Sequence, residues 1–221
     1  TFMCRPPFPG IMSSGWHLHQ SVIDQRTGRN GFARTAPDPA AGPDDARHIL
    51  SDTGAHWLGG LLAHATGMTA LCAPTVNAFG RFRPNALAPQ SAIWGHDNRG
   101  AMLRVVGQPG DPASRIENRV GEPTANPYLY MAAQIHAGLD GIEQGLEPPP
   151  ACHDPYARDL PKLPSTLDDA LDAMRQDTAM AQGFGEDFLR YFERLKRSEA
   201  QRHAQAEDKT DFERREYFSR V

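Results

Sequence analysis

Two short stretches carry residue types that could do chemistry together. In Gly15-Trp16-His17-Leu18-His19-Gln20-Ser21-Val22-Ile23-Asp24 the side chains alternate in the fashion of a β-strand. A strand puts every second side chain on one face. His17, His19 and Ser21 therefore share a face, and Trp16, Leu18 and Val22 share the other. Neutral imidazoles bind divalent metals, and a hydroxyl donates to phosphate oxygens. The same pattern also suits polar decoration on a half-exposed strand. In the second stretch, Arg115-Ile116-Glu117-Asn118-Arg119-Val120, the charged Arg115, Glu117 and Arg119 face one way and Ile116 and Val120 the other. A carboxylate between two guanidinium groups is either a solvated ladder, in which each pair is worth less than about 1 kcal/mol, or a metal ligand flanked by anion-binding arginines. The turn Gly121-Glu122-Pro123 ends that strand where a site could open.

Arg81, Arg83, Arg99, Arg104, Arg115 and Arg119 gather in the middle third of a chain whose net charge is −4. A planar guanidinium fork matches phosphate and carboxylate, and clustered arginines neutralise charge in phosphoryl transfer. Lysine occurs only at Lys162, Lys196 and Lys209. For surface arginines a GC-rich genome is sufficient explanation, and the negative balance gives no reason to expect a nucleic-acid partner.

The elements that must position these residues can be read around them. Residues 1–4 read as a short strand, and 26–45 as a long loop expected to be mobile. Trp57, Leu58, Leu61, Leu62, Ala65, Met68 and Leu71 predict one helix over about 53–71. The turn-rich 74–98 has the length of a functional loop. Strands are expected at 101–106 and 115–120. Asn126 as cap and Pro127 at the first helical position start a helix through Ile142. Its stripe of Tyr128, Leu129, Ala132, Ile135, His136, Leu139 and Ile142 is expected to face inward. Ser165 or Thr166 caps a short helix through Leu171 and Met174. The stretch 186–207 reads as an amphipathic helix with Phe188, Leu189, Phe192 and Leu195 inside. Strands interspersed with helices and long loops predict an α+β fold, with a mostly antiparallel sheet and flanking helices.

With 221 residues the chain can bury a core without staples; about 70–75% of the unfolded surface is removed at this size. Cys4, Cys72 and Cys152 are odd in number and widely spaced, which fits reduced thiols in a cytoplasmic protein. No apolar run approaches the roughly 20 residues of a membrane span.

At these residues the chain resembles the glutamine synthetase family. The matching stretches run in order: Ser14 to Ser21, Asn77-Ala78-Phe79-Gly80-Arg81, Ala88-Pro89, Asp97-Asn98-Arg99 with Arg104, Arg115 to Arg119, Asn126 to Leu129, and Ala137 to Ile142. Phe212 to Val221 is similar to the family's last segment. The resemblance implies the catalytic-domain fold shared in outline with guanidino kinases. It also implies that residues 1–221 are the C-terminal part of that domain, without the N-terminal β-grasp domain and several catalytic glutamates.

Carried over by position, it makes His17 and Glu117 ligands of Mg2+ or Mn2+, and sets His19 and Ser21 near ATP. It puts Arg99, Arg104 and Arg115 on the phosphates. Arg81 and Arg119, with Gly15, fall to the substrate glutamate, and Arg99, Arg119 and Arg81 to catalysis. The implied reaction is ATP-dependent formation of a γ-glutamyl amide from glutamate and an amine, in a homo-oligomeric ring, a dodecamer by resemblance. Two positions depart from the family. Its flap glutamate falls at Leu87, and an asparagine used for substrate contact falls at Met12. A leucine cannot balance an ammonium ion, so an organic amine is the expected acceptor, with ammonia as the alternative. A non-catalytic relative would be expected to have lost some of His17, Glu117 and the arginines. A cupin-like barrel is disfavoured by the long helices, and a guanidino kinase by the Asn-Pro-Tyr-Leu helix start and the His-x-His strand.

Overall fold

A computed structural model describes residues 4–5, 10–36, 38–83 and 88–218. The expected strand at 1–4 and the departure at Leu87 therefore lie outside the described residues, apart from Cys4. Among the described residues four short strands form one sheet: β1 (Leu18–Gln20), β2 (Trp94–His96), β3 (Leu103–Val106) and β4 (Arg115–Asn118). Their order is β1-β4-β3-β2. β4 pairs antiparallel with both β1 and β3, while β2 joins β3 in parallel at the edge. The mostly antiparallel expectation holds, with that one parallel pairing added.

Alternation explains the faces. Leu103, Val105 and Ile116 are fully buried on the helix side, and the opposite face carries Arg104, Arg115 and Glu117. Register sets the charges against one another, because Arg104 and His19 both lie directly across from Glu117.

Eight α-helices are found among the described residues, and they supply the layer on the other face: α1 (Asp52–Ala63), α2 (Ala65–Cys72), α3 (Val76–Phe79), α4 (Pro127–Gln144), α5 (Leu167–Gln176), α6 (Thr178–Phe184), α7 (Glu186–Gln205) and α8 (Lys209–Tyr217). Their starts follow the sequence. Asn126 accepts from the Tyr128 and Leu129 amides ahead of Pro127, and Thr166 accepts from the Asp169 amide. Gly145 ends α4 in the left-handed conformation, φ 62°. Within the region read as turns, Thr75 caps α3, and Trp94–His96 add the parallel edge strand. Helices α6 and α8, each capped by an aspartate, were not anticipated.

Three expectations need correction. The inward face of α4 is Tyr130, Ala133, Gln134, Ala137, Gly138 and Gly141. Of the apolar stripe, Tyr128 is 78% exposed, and Ile135 and Leu139 are also exposed, while only Leu129 and Ile142 pack against the core. Close approach decides this. A Cβ placed on Gly60 of α1 would sit 2.1 Å from the Ala137 carbonyl oxygen, and one on Gly141 of α4 would sit 2.2 Å from the His56 carbonyl oxygen. At the Gly60–Gly141 contact neither helix has room for a side chain, and next to it Gly138 of α4 makes space for Trp57 of α1, so bulk on this part of α4 lies on the outer face. On α7, Leu189 and Phe192 are buried as expected and Phe188 packs against the core, but Leu195 is exposed.

The expected helix at 53–71 is two helices, broken at His64 (φ −100°, ψ 14°). The His64 ring explains why the break is held. Its Nδ1 lies 3.0 Å from both carboxylate oxygens of Asp177, the N-cap of α6, and its Nε2 lies 2.9 Å from Asp140 Oδ2 on α4. Burial opposes protonation, but the Asp177 and Asp140 carboxylates outweigh it and raise the imidazole above its usual pKa. The three side chains are only 7–14% exposed.

Removing one partner of such a buried set costs roughly 3–5 kcal/mol. A raised folded-state pKa contributes stability that is fully present below the unfolded value, about 6.5, and is lost as pH rises through the folded value. His64→Gln should therefore lower stability by about 3 kcal/mol at pH 6. That deficit should shrink by pH 9 in urea denaturation of the two proteins, and a pH-independent deficit would contradict the assignment.

Candidate active site

Glu117 sits at the centre of the polar face of the sheet. It is 2% exposed, and three cationic or polar side chains converge on its two oxygens. His17 Nδ1 is 2.9 Å from Oε1, Arg119 Nη1 donates to Oε1 at 2.7 Å, and Arg104 Nη1 donates to Oε2 at 2.9 Å. His19 Nε2 stands 3.9 Å from Oε1. Arg115 Nε donates to His19 Nδ1 at 3.0 Å, which fixes that ring's second nitrogen.

Strand geometry produces this cluster. β1 and β4 are antiparallel neighbours, so residues about a hundred positions apart in sequence share one face. Arg104 is held from its other side by Asp97, which takes both its Nε and its Nη2 and has an unusual φ of 48° for a non-glycine.

Burial opposes ionisation of Glu117, but Arg104, Arg119 and the two histidines outweigh it and keep the carboxyl below its usual pKa. Burial and the Arg119 charge press His17 down to about 4, against partial support from Glu117. At neutral pH the site therefore presents a carboxylate beside a neutral imidazole, the protonation states a divalent cation needs. This donor set fits Mg2+ or Mn2+ as two ligands of an oxygen-rich shell. Among the described residues, no group of three or more His, Cys, Asp or Glu side chains is placed to hold a metal ion. The remaining ligands have to come from outside this group. Arg119 Nε is buried without a hydrogen-bond partner among the described residues.

The other expected residues divide. Gly15 borders the cluster: a Cβ there would meet His17 Nε2 at 2.7 Å and Arg81 Nη1 at 3.3 Å. Arg81 is buried behind it, with its terminal nitrogens on backbone carbonyls of residues 14 and 119–121. Ser21 is exposed beyond the end of β1, and Arg99 is exposed in the turn after β2; neither makes a contact with Glu117. Met12 is exposed.

Sequence reasoning missed Glu122, which is fully buried beneath the site. It accepts from the Thr124 amide at 2.9 Å and from both the Thr75 and Thr124 hydroxyls. Burial raises its pKa. The available signal was a lone carboxylate in the Gly-Glu-Pro turn at the end of a site strand.

The model of the family "Glutamine synthetase, catalytic domain" matches residues 1–217. The chain belongs to the glutamine synthetase family. A "Gamma-glutamylanilide synthase" of Acinetobacter sp is 42% identical over 99% of this chain and 44% of its own length. "Glutamine synthetase" of Thermus thermophilus is 36% identical over 90% of this chain and 44% of its own. "Gamma-glutamylethanolamide synthetase GlnA4" of Streptomyces coelicolor is 34% identical over 100% and 44%. The chain thus spans less than half the length of these relatives. The solved structure "GmaS/ADP complex-Conformation 1" superposes with a TM-score of 0.79 at 31% identity, covering 99% of this chain and 49% of that one.

Glu117 is expected to stabilise the fold as well as the site. Its depressed folded-state pKa contributes stability present above the unfolded value, near 4.3, and lost as pH falls through the folded value. Glu117→Gln, which leaves Arg104 and Arg119 without their carboxylate, should cost about 3 kcal/mol at pH 7 in urea denaturation. The difference should fade below pH 4; an equal loss at pH 3.5 would mean the ion pairs are not its source.

Proposed function

We propose that this glutamine synthetase family chain is the catalytic-domain segment of an ATP-dependent ligase that joins the side-chain carboxylate of glutamate to an organic amine. The observation that carries this reading is the convergence of His17, Arg104 and Arg119 on Glu117 within 2.7–2.9 Å. A carboxylate is a poor acyl donor because its leaving group would be oxide. ATP transfers its γ-phosphoryl group to the glutamate γ-carboxylate, releasing ADP and giving a γ-glutamyl phosphate. The amine then attacks the acyl carbon and phosphate leaves. Charge build-up on the transferring group is the main barrier, and preorganised cationic donors lower it.

His17 and Glu117 would hold Mg2+ or Mn2+, which when bound polarises the phosphoryl oxygens. Arg104 anchors Glu117 and stands with Arg115 and Arg99 for the phosphates. His19, fixed by Arg115, and Ser21 lie toward the nucleotide. Arg119 spans the carboxylate and the substrate side, and the missing side chain at Gly15 leaves room beside His17. Sub-ångström placement matters here, since a misplacement of about 1 Å can lower the rate about a hundredfold.

Leu87 in place of the family's flap glutamate, with two relatives named for anilide and ethanolamide products, supports an organic amine as acceptor. The relatives named glutamine synthetase support ammonia as the second reading. A homo-oligomeric ring, which the resemblance puts at twelve copies, goes with either reading. Among the described residues no helix is long and apolar enough to cross a membrane.

The test is a coupled ADP-release assay on the full-length protein with glutamate, comparing ammonium with a panel of alkyl and aryl amines. An amine should exceed ammonium at least about tenfold in kcat/KM, the rate ratio that 1.4 kcal/mol of differential transition-state binding gives. Equal or faster turnover with ammonium rules the amine reading out.

A further inference from the structure

The two strands that carry the polar face are joined again from beneath. On the helix side of the sheet, the residues that alternate with the metal-site residues are amides: Gln20 follows His19 on β1, and Asn118 follows Glu117 on β4. Both amides meet one atom. Gln134 Oε1 of α4 accepts from Asn118 Nδ2 at 2.8 Å and from Gln20 Nε2 at 3.1 Å. The Gln134 amide nitrogen lies on two sulfurs of α2, Met68 Sδ at 2.8 Å and Cys72 Sγ at 3.6 Å, which leaves its oxygen toward the strands.

Each strand amide has further anchors. Gln20 Oε1 accepts from Trp57 Nε1 of α1 at 2.9 Å. Asn118 Oδ1 accepts from the Val120 amide at 2.9 Å, its Nδ2 also lies 3.8 Å from Met68 Sδ, and its carbonyl accepts from the Tyr130 hydroxyl of α4 at 3.3 Å. Gln134 is 1% exposed and Asn118 is fully buried. Water cannot replace a lost partner there, so the two donors depend on the Gln134 oxygen. An apolar side chain at 134 would fill the same space; the amide adds direction.

β1 has few other constraints on its place. It is three residues long, and among the described residues it ends the sheet with β4 as its one paired neighbour. His17 stands one residue before it, so the distance from His17 to Glu117 follows from how β1 is held against β4.

We propose that Gln134 is a positioning residue of the metal site: its side-chain oxygen ties Gln20 of β1 to Asn118 of β4 from the helix side and so sets His17 and His19 against Glu117. The brace stands on these contacts alone, and the cation it serves rests on the ligase reading.

A packing residue and a positioning residue differ in what they move. Loss of packing lowers the melting temperature and leaves the cation affinity of the folded site alone. Loss of placement weakens cation binding and lowers kcat, with little change in KM for glutamate. Gln134→Met keeps the length of the side chain and removes the oxygen. In the full-length protein it should lower Mn2+ affinity in direct titration, and kcat with it, at least about tenfold, with KM for glutamate changed by less than about threefold. Gln20→Met cuts the β1 arm alone from a less buried position and should weaken Mn2+ at least about threefold. Because both act through one oxygen, the double variant should lose no more than about twofold beyond Gln134→Met. Losses that multiply, or Mn2+ affinity equal to wild type in either single variant, would overturn the proposal. Should Gln134→Met fail to fold, the titration of Gln20→Met decides by itself. Wild-type protein that binds no Mn2+ would refute the ligase reading instead. The brace is then decided by a crystal structure of Gln20→Met, in which the His17 ring should have moved at least about 0.5 Å relative to Glu117; an unmoved ring sinks the brace.

Discussion

The structure turns on one carboxylate. Glu117 is buried on the sheet, and an ionised group there is tolerated only because Arg104, Arg119 and His17 meet its oxygens directly. The same contacts that make the charge tolerable fix the positions of three side chains from three strands and their flanks. Stability and chemistry are thus built from one set of atoms. The second tier repeats the pattern: Asp97 holds Arg104 and Arg115 holds His19.

The antiparallel pairing of β1 with β4 lets distant sequence meet at this carboxylate, and the helix layer keeps the sheet in place. Leu103, Val105 and Ile116 give the sheet its apolar underside. Hydrogen bonds to helix residues reach the sheet as well, as where Gln134 of α4 accepts from both Asn118 and Gln20. The family's fold thus appears here with its polar face on one side and its core on the other.

Much of this was legible in the sequence, for definable reasons. Period-two alternation in 15–24 and 115–120 placed His17, His19 and Glu117 on common faces; the strand itself is shorter, Leu18–Gln20, but its register sets His19 across from Glu117, and His17 reaches the same carboxylate. Caps at Asn126 and Thr166 are local signals and appear where read. The failures have a common cause in long-range contact. Helix periodicity marks an apolar stripe but cannot say whether the neighbour demands bulk or smallness, so the α4 face was inverted. The break at His64 depends on carboxylates 76 and 113 residues away. The hydrogen bonds of Arg81 to backbone carbonyls are likewise invisible until 14 and 119–121 are brought together. Ser21 and Arg99 carry the right chemistry by position and resemblance, yet nothing local draws them to the carboxylate.

The crossing of α1 and α4 bears on anyone who would harden this protein by design. Replacing mid-helix glycine with alanine is a standard stabilising move, worth up to about 1 kcal/mol in helix propensity. At Gly60 and Gly141 the added methyl would be driven into the backbone of the opposing helix, which has no rotamer through which to yield. Propensity-guided redesign should therefore pass over these sites, and open space alone is no guide either, since Gly10, Gly28, Gly145 and Gly185 have room for a side chain but sit at positive φ, where one is strained.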